Sequence, residues 1–246
     1  ARLGEKELVM RPHKDKHFLE IFGKTQMEEF FRLLLKTTPE NPVMQYQCRI
    51  WVGGQERWHR IISRATWSAD EKPQFLGAIG KAVDIHEECT KMLDLEHIAS
   101  HDGMTGLLNY ASSKKIIQER MAEVPGKRFA LIILDLDYFK RANDQHGHMF
   151  GDQLLKYFAG KLRQCIRGGD VVARVGGDEF VIFLEYKASL EQIVNRIFHS
   201  LLGEYGEFKI SVSMGVAKSS LLISNYEMIL HCADRALYFA KRSGRG

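Results

Sequence analysis

No run of about eighteen apolar residues occurs in the 246 positions of this chain, so nothing in it is built to cross a bilayer as a helix. Its first residues also lack a basic stretch followed by an apolar core and a small-residue cleavage site, which excludes a secretion signal there. Cysteine is scarce. Cys48, Cys89, Cys165 and Cys232 stand far apart with no C-x-x-C spacing, so neither a disulfide framework nor a zinc site is signalled. A reducing cytoplasm is the expected setting. Residue 1 is not Met and the sequence stops in a glycine-rich basic segment, so it reads as a piece of something longer, a membrane-linked protein included. Charge of one sign is short too: the formal net charge is +4 with no block of like charges, which argues against a nucleic-acid surface. Small phosphate-bearing molecules stay open as partners.

What the chain does have is enough apolar material, 45% of residues, for one large core or two ordinary ones, and two domains are expected. Lys24 to Lys36 has the spacing of an amphipathic helix, with Met27, Phe30, Phe31 and Leu34 on one face. Strand-like alternation over 43–52, a Gly53-Gly54 turn and Trp58 to Ser63 predict an antiparallel hairpin. A third strand is predicted over Phe75 to Ile85. From His86 to about Ala99 an apolar stripe of Cys89, Met92, Leu93, Leu95 and Ile98 runs among charges, either as a linker helix or as a helix packed on its own domain.

The second half alternates strands with helices. Phe129 to Leu136 is a nearly unbroken apolar run, as in a strand buried on both faces. Asp152 to Arg167 is predicted helical, Val171 to Val175 and Phe180 to Leu184 as strands, Leu190 to Leu202 as a helix. Phe208 to Ala217 follows as one strand and Tyr226 to Arg242 as the last helix. That order predicts an α/β sandwich whose sheet mixes crossovers with one tight hairpin.

Carboxylates cluster where these strands end. The buried run finishes in Asp135-Leu136-Asp137, and Asp178 and Glu179 occupy the hairpin tip. A strand-end Asp pair also serves as a helix cap or a solvated loop. If the hairpin pairs beside the first strand, however, Asp135 and Asp178 converge into an oxygen-rich site suited to Mg²⁺ with phosphate oxygens. Backbone amides at Tyr138, Phe139 and Lys140 leave that strand where a phosphate would be cradled. An acceptor such as Asp152 matches the paired N–H donors of guanine, which adenine lacks. Lys241 and Arg245, four apart, would share a helical face and reach a triphosphate, or simply answer the helix dipole.

Arg174-Val175-Gly176-Gly177-Asp178-Glu179-Phe180 resembles the signature of the GGDEF family of diguanylate cyclases. Around it, in family order, stand His101 to Asn109, Asp135 to Lys140, Asn143-Asp144, Gly147 to Asp152, Ala240-Lys241 and Gly244-Arg245. Met104 and Tyr110 depart from the usual Leu and Arg. The resemblance covers roughly 97–246 and implies that two GTP are condensed to cyclic di-GMP with release of pyrophosphate. It implies Mg²⁺, with Mn²⁺ as the alternative, held by Asp135, the Leu136 carbonyl and Asp178. Asp178 is then also the candidate base, and Glu179 a second-rank candidate for the metal site among the catalytic residues. Asn143 and Asp152 would read guanine with His148 close by, and Lys140, Lys241, Arg245 and the Tyr138-Phe139 amides would meet phosphates. Each domain would hold one GTP, so ring closure calls for a homodimer.

Arg167-Gly168-Gly169-Asp170 resembles the family's inhibitory product site, although an R-x-x-D is also an ordinary helix-end turn. Residues 11–15, the hairpin and Gly77 to Ile85 resemble the later part of a PAS domain, whose ligand, haem, flavin or none, the sequence leaves open. Cys48 reads as a strand residue rather than a flavin-linked thiol. The expected architecture is α+β in two domains. An incomplete PAS-like antiparallel module spans 1–86, a helical linker 87–100, and a palm-like α/β sandwich GGDEF domain 101–246. The rivals are a non-catalytic receptor for GTP or cyclic di-GMP and another nucleotidyl cyclase on the palm fold.

Overall fold

A computed structural model describes residues 16–123, 127–187 and 189–244. The stretch 11–15 that carried part of the PAS resemblance, and Arg245, lie outside the described residues. The chain divides into two compact units, 1–95 and 96–246.

In the first unit, α1 (Lys16–Phe22) and α2 (Lys24–Leu34) precede a meander of β1 (Val43–Val52), β2 (Gln55–Trp67) and β3 (Phe75–Asp84), paired antiparallel in that order. Gly53 and Gly54 both take positive φ, 62° and 81°, so the two-residue turn twists with its strands, as only glycine does there without strain. Burial follows the strand period: Cys48 and Ile50 from β1 and Ile61 from β2 pack with Phe22 and Met27 of the helices. Cys48 is a buried core residue, and burial pushes its thiol up to about 11. The following α3 (His86–Ser100) buries no residue, and Met92, Leu93, Leu95 and Ile98 are exposed.

The second unit adds α4 (Tyr110–Glu123), β4 (Phe129–Leu136), α5 (Phe139–His146), α6 (His148–Cys165), β5 (Val171–Gly176) and β6 (Glu179–Glu185). It finishes with α7 (Leu190–Leu201), β7 (Gly203–Tyr205), β8 (Phe208–Ile210), β9 (Val212–Lys218) and α8 (Tyr226–Arg242). The main sheet runs β5-β6-β4-β9 with every neighbour antiparallel. Two connections each step over one strand, and β5-β6 is the tight hairpin. All eight residues of β4 are buried. Ala130, Ile132, Leu134 and Leu136 face α6 and α7 through Phe158, Leu162 and Ile197. Leu131 and Ile133 face α4 and α8 through Ile117, Ile229 and Leu237. Each such large side chain contributes about 1.5–3 kcal/mol on burial, which makes this strand the centre of the core. Gly215 lets α8 lie flat on β9, since a Cβ there would strike the Ala233 carbonyl and the Leu237 backbone.

Two expectations need correction. The first turn of α6 begins at His148 rather than Asp152, because Gly147 at φ 85° starts the helix earlier. The predicted strand Phe208 to Ala217 breaks at Ser211. Residues 208–210 pair with β7, and only 212–218 join the main sheet. Ser211 leaves strand geometry to bind Asp137, through its carbonyl to the Asp137 amide (2.9 Å) and its hydroxyl to the carboxylate (2.6 Å). The last helix, α8, ends at Arg242 as predicted, with Lys241 in its last turn.

Candidate active site

The register of β4 against β6 sets Asp135 opposite Glu179. The Leu136 amide donates to the Asp178 carbonyl at 3.3 Å, so the hairpin tip closes over the end of β4. Asp135 is 8% exposed, and Lys241 from α8 donates to its Oδ2 at 2.5 Å. Burial pushes the Asp135 carboxyl up. Lys241 opposes that shift, and the neighbouring charges of Asp178 and Asp137 add to it. Glu179 is also raised, first by desolvation, with Lys241 again opposing and Asp135, Asp178 and Asp234 reinforcing. Asp135, Asp178, Glu179 and Lys241 therefore share a single electrostatic neighbourhood at this sheet edge, to which Asp137 and Asp234 add charge. The Leu136 side chain is in the core.

Asp137 plays a different part. It is 1% exposed and accepts from Ser211 Oγ (2.6 Å) and Ser213 Oγ (2.7 Å), which fixes the strand end while its charge still acts on Asp135. Tyr138 then takes φ 62°, ψ 20°, the one non-glycine residue with positive φ among the described residues. That turn aims the N-terminus of α5, carrying Phe139 and exposed Lys140, out from the same edge.

Asn143 on α5 lies against Gly151 of α6, where a Cβ would overlap its amide oxygen. The missing side chain at 151 lets the two helices close on each other, next to Asp152. Asn143 Oδ1 is buried with no hydrogen-bond partner among the described residues, an acceptor without a donor. His148, the first residue of α6, is exposed. Among the described residues, Asp135, Asp178, Glu179 and Lys241 thus come together at one edge, with the start of α5 following directly from β4. Arg167 and Asp170 do not join them. They form a turn after α6, where Asp170 Oδ2 accepts from the Arg167 amide (3.0 Å), separated from Asp178 by the length of β5.

Sequence reasoning gave no role to Asp102 and Arg174. Arg174 Nη1 meets Asp102 Oδ1 at 3.1 Å, with the side chains 12% and 25% exposed. Its other two nitrogens donate to the Gly177 carbonyl at 2.9 and 2.7 Å. One guanidinium thus ties the 101–106 turn to the carbonyl beside Asp178. Burial raises the Asp102 carboxyl, but the Thr105 hydroxyl and amide and then Arg174 outweigh it, leaving the group below its ordinary value. The signal was present, an Arg four residues before an Asp-bearing glycine turn, but its partner lies 72 positions away.

The fold and this edge define a palm-like α/β domain, and comparison supplies its family. The family model described as "Diguanylate cyclase, GGDEF domain" matches residues 99–246, and the chain belongs to that family. It is 37% identical over 213 residues to an uncharacterized signaling protein of Caulobacter vibrioides, covering 79% of this chain and 25% of that one. It is 39% identical over 155 residues to the diguanylate cyclase DgcS of Shewanella oneidensis, covering 60% and 51%. The solved coiled coil and GGDEF domain of DgcB from Caulobacter crescentus, in complex with c-di-GMP, matches at 28% identity with a TM-score of 0.58, over 65% of this chain and 90% of that one. The chain spans from a quarter to about half the length of these two curated relatives.

Proposed function

We propose that this chain condenses two GTP into cyclic di-GMP, releasing two pyrophosphates. The observation that carries the reading is the convergence, by strand register, of Asp135, Asp178 and Glu179 beside the emerging N-terminus of α5. No three His, Cys, Asp or Glu side chains form a ready-made metal cluster among the described residues. Mg²⁺ asks for less, one or two carboxylates with phosphate oxygens and water, and the mutual repulsion of the acids is what a dication relieves. The donor set therefore fits Mg²⁺ or Mn²⁺, held by Asp135, the Leu136 carbonyl and Asp178. When bound, the ion would neutralise the triphosphate and favour ionisation of a 3′-hydroxyl.

The chain's own residues would do the rest. The amides of 138–140 and the Lys140 ammonium meet phosphate oxygens at the helix N-terminus. Lys241, held on Asp135 by a single hydrogen bond, is within reach of a triphosphate tail. Asn143 Oδ1, orphaned as the protein stands, and Asp152 accept from the guanine N–H edge, with His148 nearby. Asp178 takes the 3′-hydroxyl proton as the oxygen attacks the α-phosphorus and the pyrophosphate oxygen leaves, with Glu179 a second-rank candidate for the metal site. Each domain presents one GTP, so two copies face each other for both bonds to form.

Product would bind at Arg167 and Asp170. The six residues of β5 separate that turn from the catalytic edge by about 20 Å, so inhibition there is allosteric. The N-terminal unit, read as an incomplete PAS-like sensor, and α3 would set how often two catalytic domains meet. The test is incubation with GTP and Mg²⁺ and identification of the product by mass. A cyclic dinucleotide supports the reading, and unchanged GTP, or a mononucleotide product, overturns it.

A further inference from the structure

The edge of the main sheet opposite the catalytic carboxylates carries a feature that nucleotide chemistry does not use. After β9 the chain makes a tight turn in which the Ser220 amide donates to the Ile223 carbonyl (3.0 Å) and the Ile223 amide to the Ser220 carbonyl (3.1 Å). Leu221 and Leu222 are its two tip residues, 101% and 81% exposed. A turn tip is ordinarily polar or glycine-rich. This one is also firmly mounted: the Ser219 amide donates to the Phe129 carbonyl (2.8 Å), the Phe129 amide to Ser219 Oγ (2.9 Å), and Asn225 caps α8 just beyond. The leucines are therefore held out, not loosely exposed.

Charge surrounds them. β4 begins, and β6 and β9 end, at this edge, bringing Arg128, Lys187 and Lys218 to the same side, each exposed. Arg128 is pinned by a hydrogen bond to the Lys187 carbonyl (2.5 Å) and stacks on the Tyr186 ring at 5.1 Å. The nearby acid Glu185 is paired with Lys127 at 2.7 Å and also feels the charge of Lys187, whereas Arg128 and Lys218 form no ion pair among the described residues. A cavity of ≈540 Å³, lined by Lys218, Ser219 and Ser220 together with apolar Val216, Ala217 and Ile223, opens beside the turn.

We propose that this turn docks the catalytic domain on an anionic lipid surface. Leu221 and Leu222 enter the acyl boundary, and Arg128, Lys187 and Lys218 meet lipid phosphates, with Lys218, Ser219 and Ser220 offering polar contacts at the cavity mouth. A protruding apolar pair at a sheet end that also carries exposed cations suits a fluid layer, which needs no matched pocket, better than it suits a rigid partner protein. The eight residues of β4 put the catalytic edge about 26 Å from this end, so the domain docks with its nucleotide site turned to solvent.

The experiment is flotation of the whole chain with phosphatidylcholine vesicles and with vesicles rich in phosphatidylglycerol. Binding to the anionic vesicles only, weakened by salt, is expected. The double variant Leu221→Ser with Leu222→Ser should lower the partition coefficient by about tenfold or more. Lys187→Glu with Lys218→Glu should lower it comparably. All four positions are exposed, so the thermal midpoints should match the parent's and serve as the folding control. Absence of vesicle binding, or binding that the leucine variant leaves unchanged, overturns the proposal. So does a dimer in sedimentation that the leucine variant dissolves, which would assign the tip to a second copy of the chain.

Discussion

Replacing Asp178 by Asn should separate the chemistry of the acidic edge from the stability of the fold, moving them in opposite directions. Carboxylates on facing strand ends stand roughly 6 Å apart. At an effective dielectric near 20 two such charges repel by about 3 kcal/mol, and exposure of the tip together with Lys241 cuts that to about 1 kcal/mol. Asn keeps the shape and removes the charge, so the domain should gain about 1 kcal/mol, or about 2–4 °C in Tm. The sign follows from the raised Asp135 and Glu179 carboxyls. A raised acid is favoured protonated in the folded state, so its destabilisation grows as pH rises past the unfolded value of about 4. The gain from Asn should therefore be full at neutral pH and vanish below about pH 4. Turnover should meanwhile fall by at least 10²–10³-fold, the loss that follows removal of one charge-stabilising group. Thermal scans across pH and an initial-rate assay with GTP read the two effects. A destabilised variant, or one that keeps near-parental turnover, refutes the reasoning.

Asp102→Ala leaves the largely buried Arg174 without its acid and should cost about 2–3 kcal/mol in urea unfolding at pH 7. Because the Asp102 carboxyl is lowered in the folded state, that difference should be present above about pH 4 and shrink as pH falls through the folded value. Gly151→Ala pushes a methyl group into the Asn143 amide and should weaken binding of a GTP analogue about tenfold by calorimetry, with helix content unchanged. Asp152→Ser should erode the preference for GTP over ATP by about 1.5–3 kcal/mol in competition assays. Arg167→Ala should relieve product inhibition without lowering the initial rate, and inhibition that stays purely competitive with GTP would reduce the motif to a turn.

Periodicity made the centre of the GGDEF domain legible. The unbroken run of β4, the β5-β6 hairpin and the apolar faces of α7 and α8 all declare a period that burial enforces. The short helix α5 was not, because its residues carry almost no apolar stripe and its start depends on the left-handed Tyr138. The break at Ser211 was equally hidden: 208–217 alternates well enough for one strand, and only Asp137, 74 positions away, explains why it turns aside. At the site, carboxylates at strand ends were visible as a pattern, whereas their convergence needed the register of β4 on β6. The Asp102–Arg174 tie escaped for the same reason, since side-chain pairs between distant segments leave no local trace. The apolar stripe of α3 was legible, but whether it would be covered was not, and in the structure its residues are exposed.

The central claim, that this edge joins two GTP in a ring, is tested most directly by counting products in one reaction with GTP and Mg²⁺. Two pyrophosphates should appear for each cyclic dinucleotide, at a rate per chain that rises with protein concentration as copies pair. Pyrophosphate released without a cyclic dinucleotide, or in a one-to-one ratio with a mononucleotide, would contradict the account.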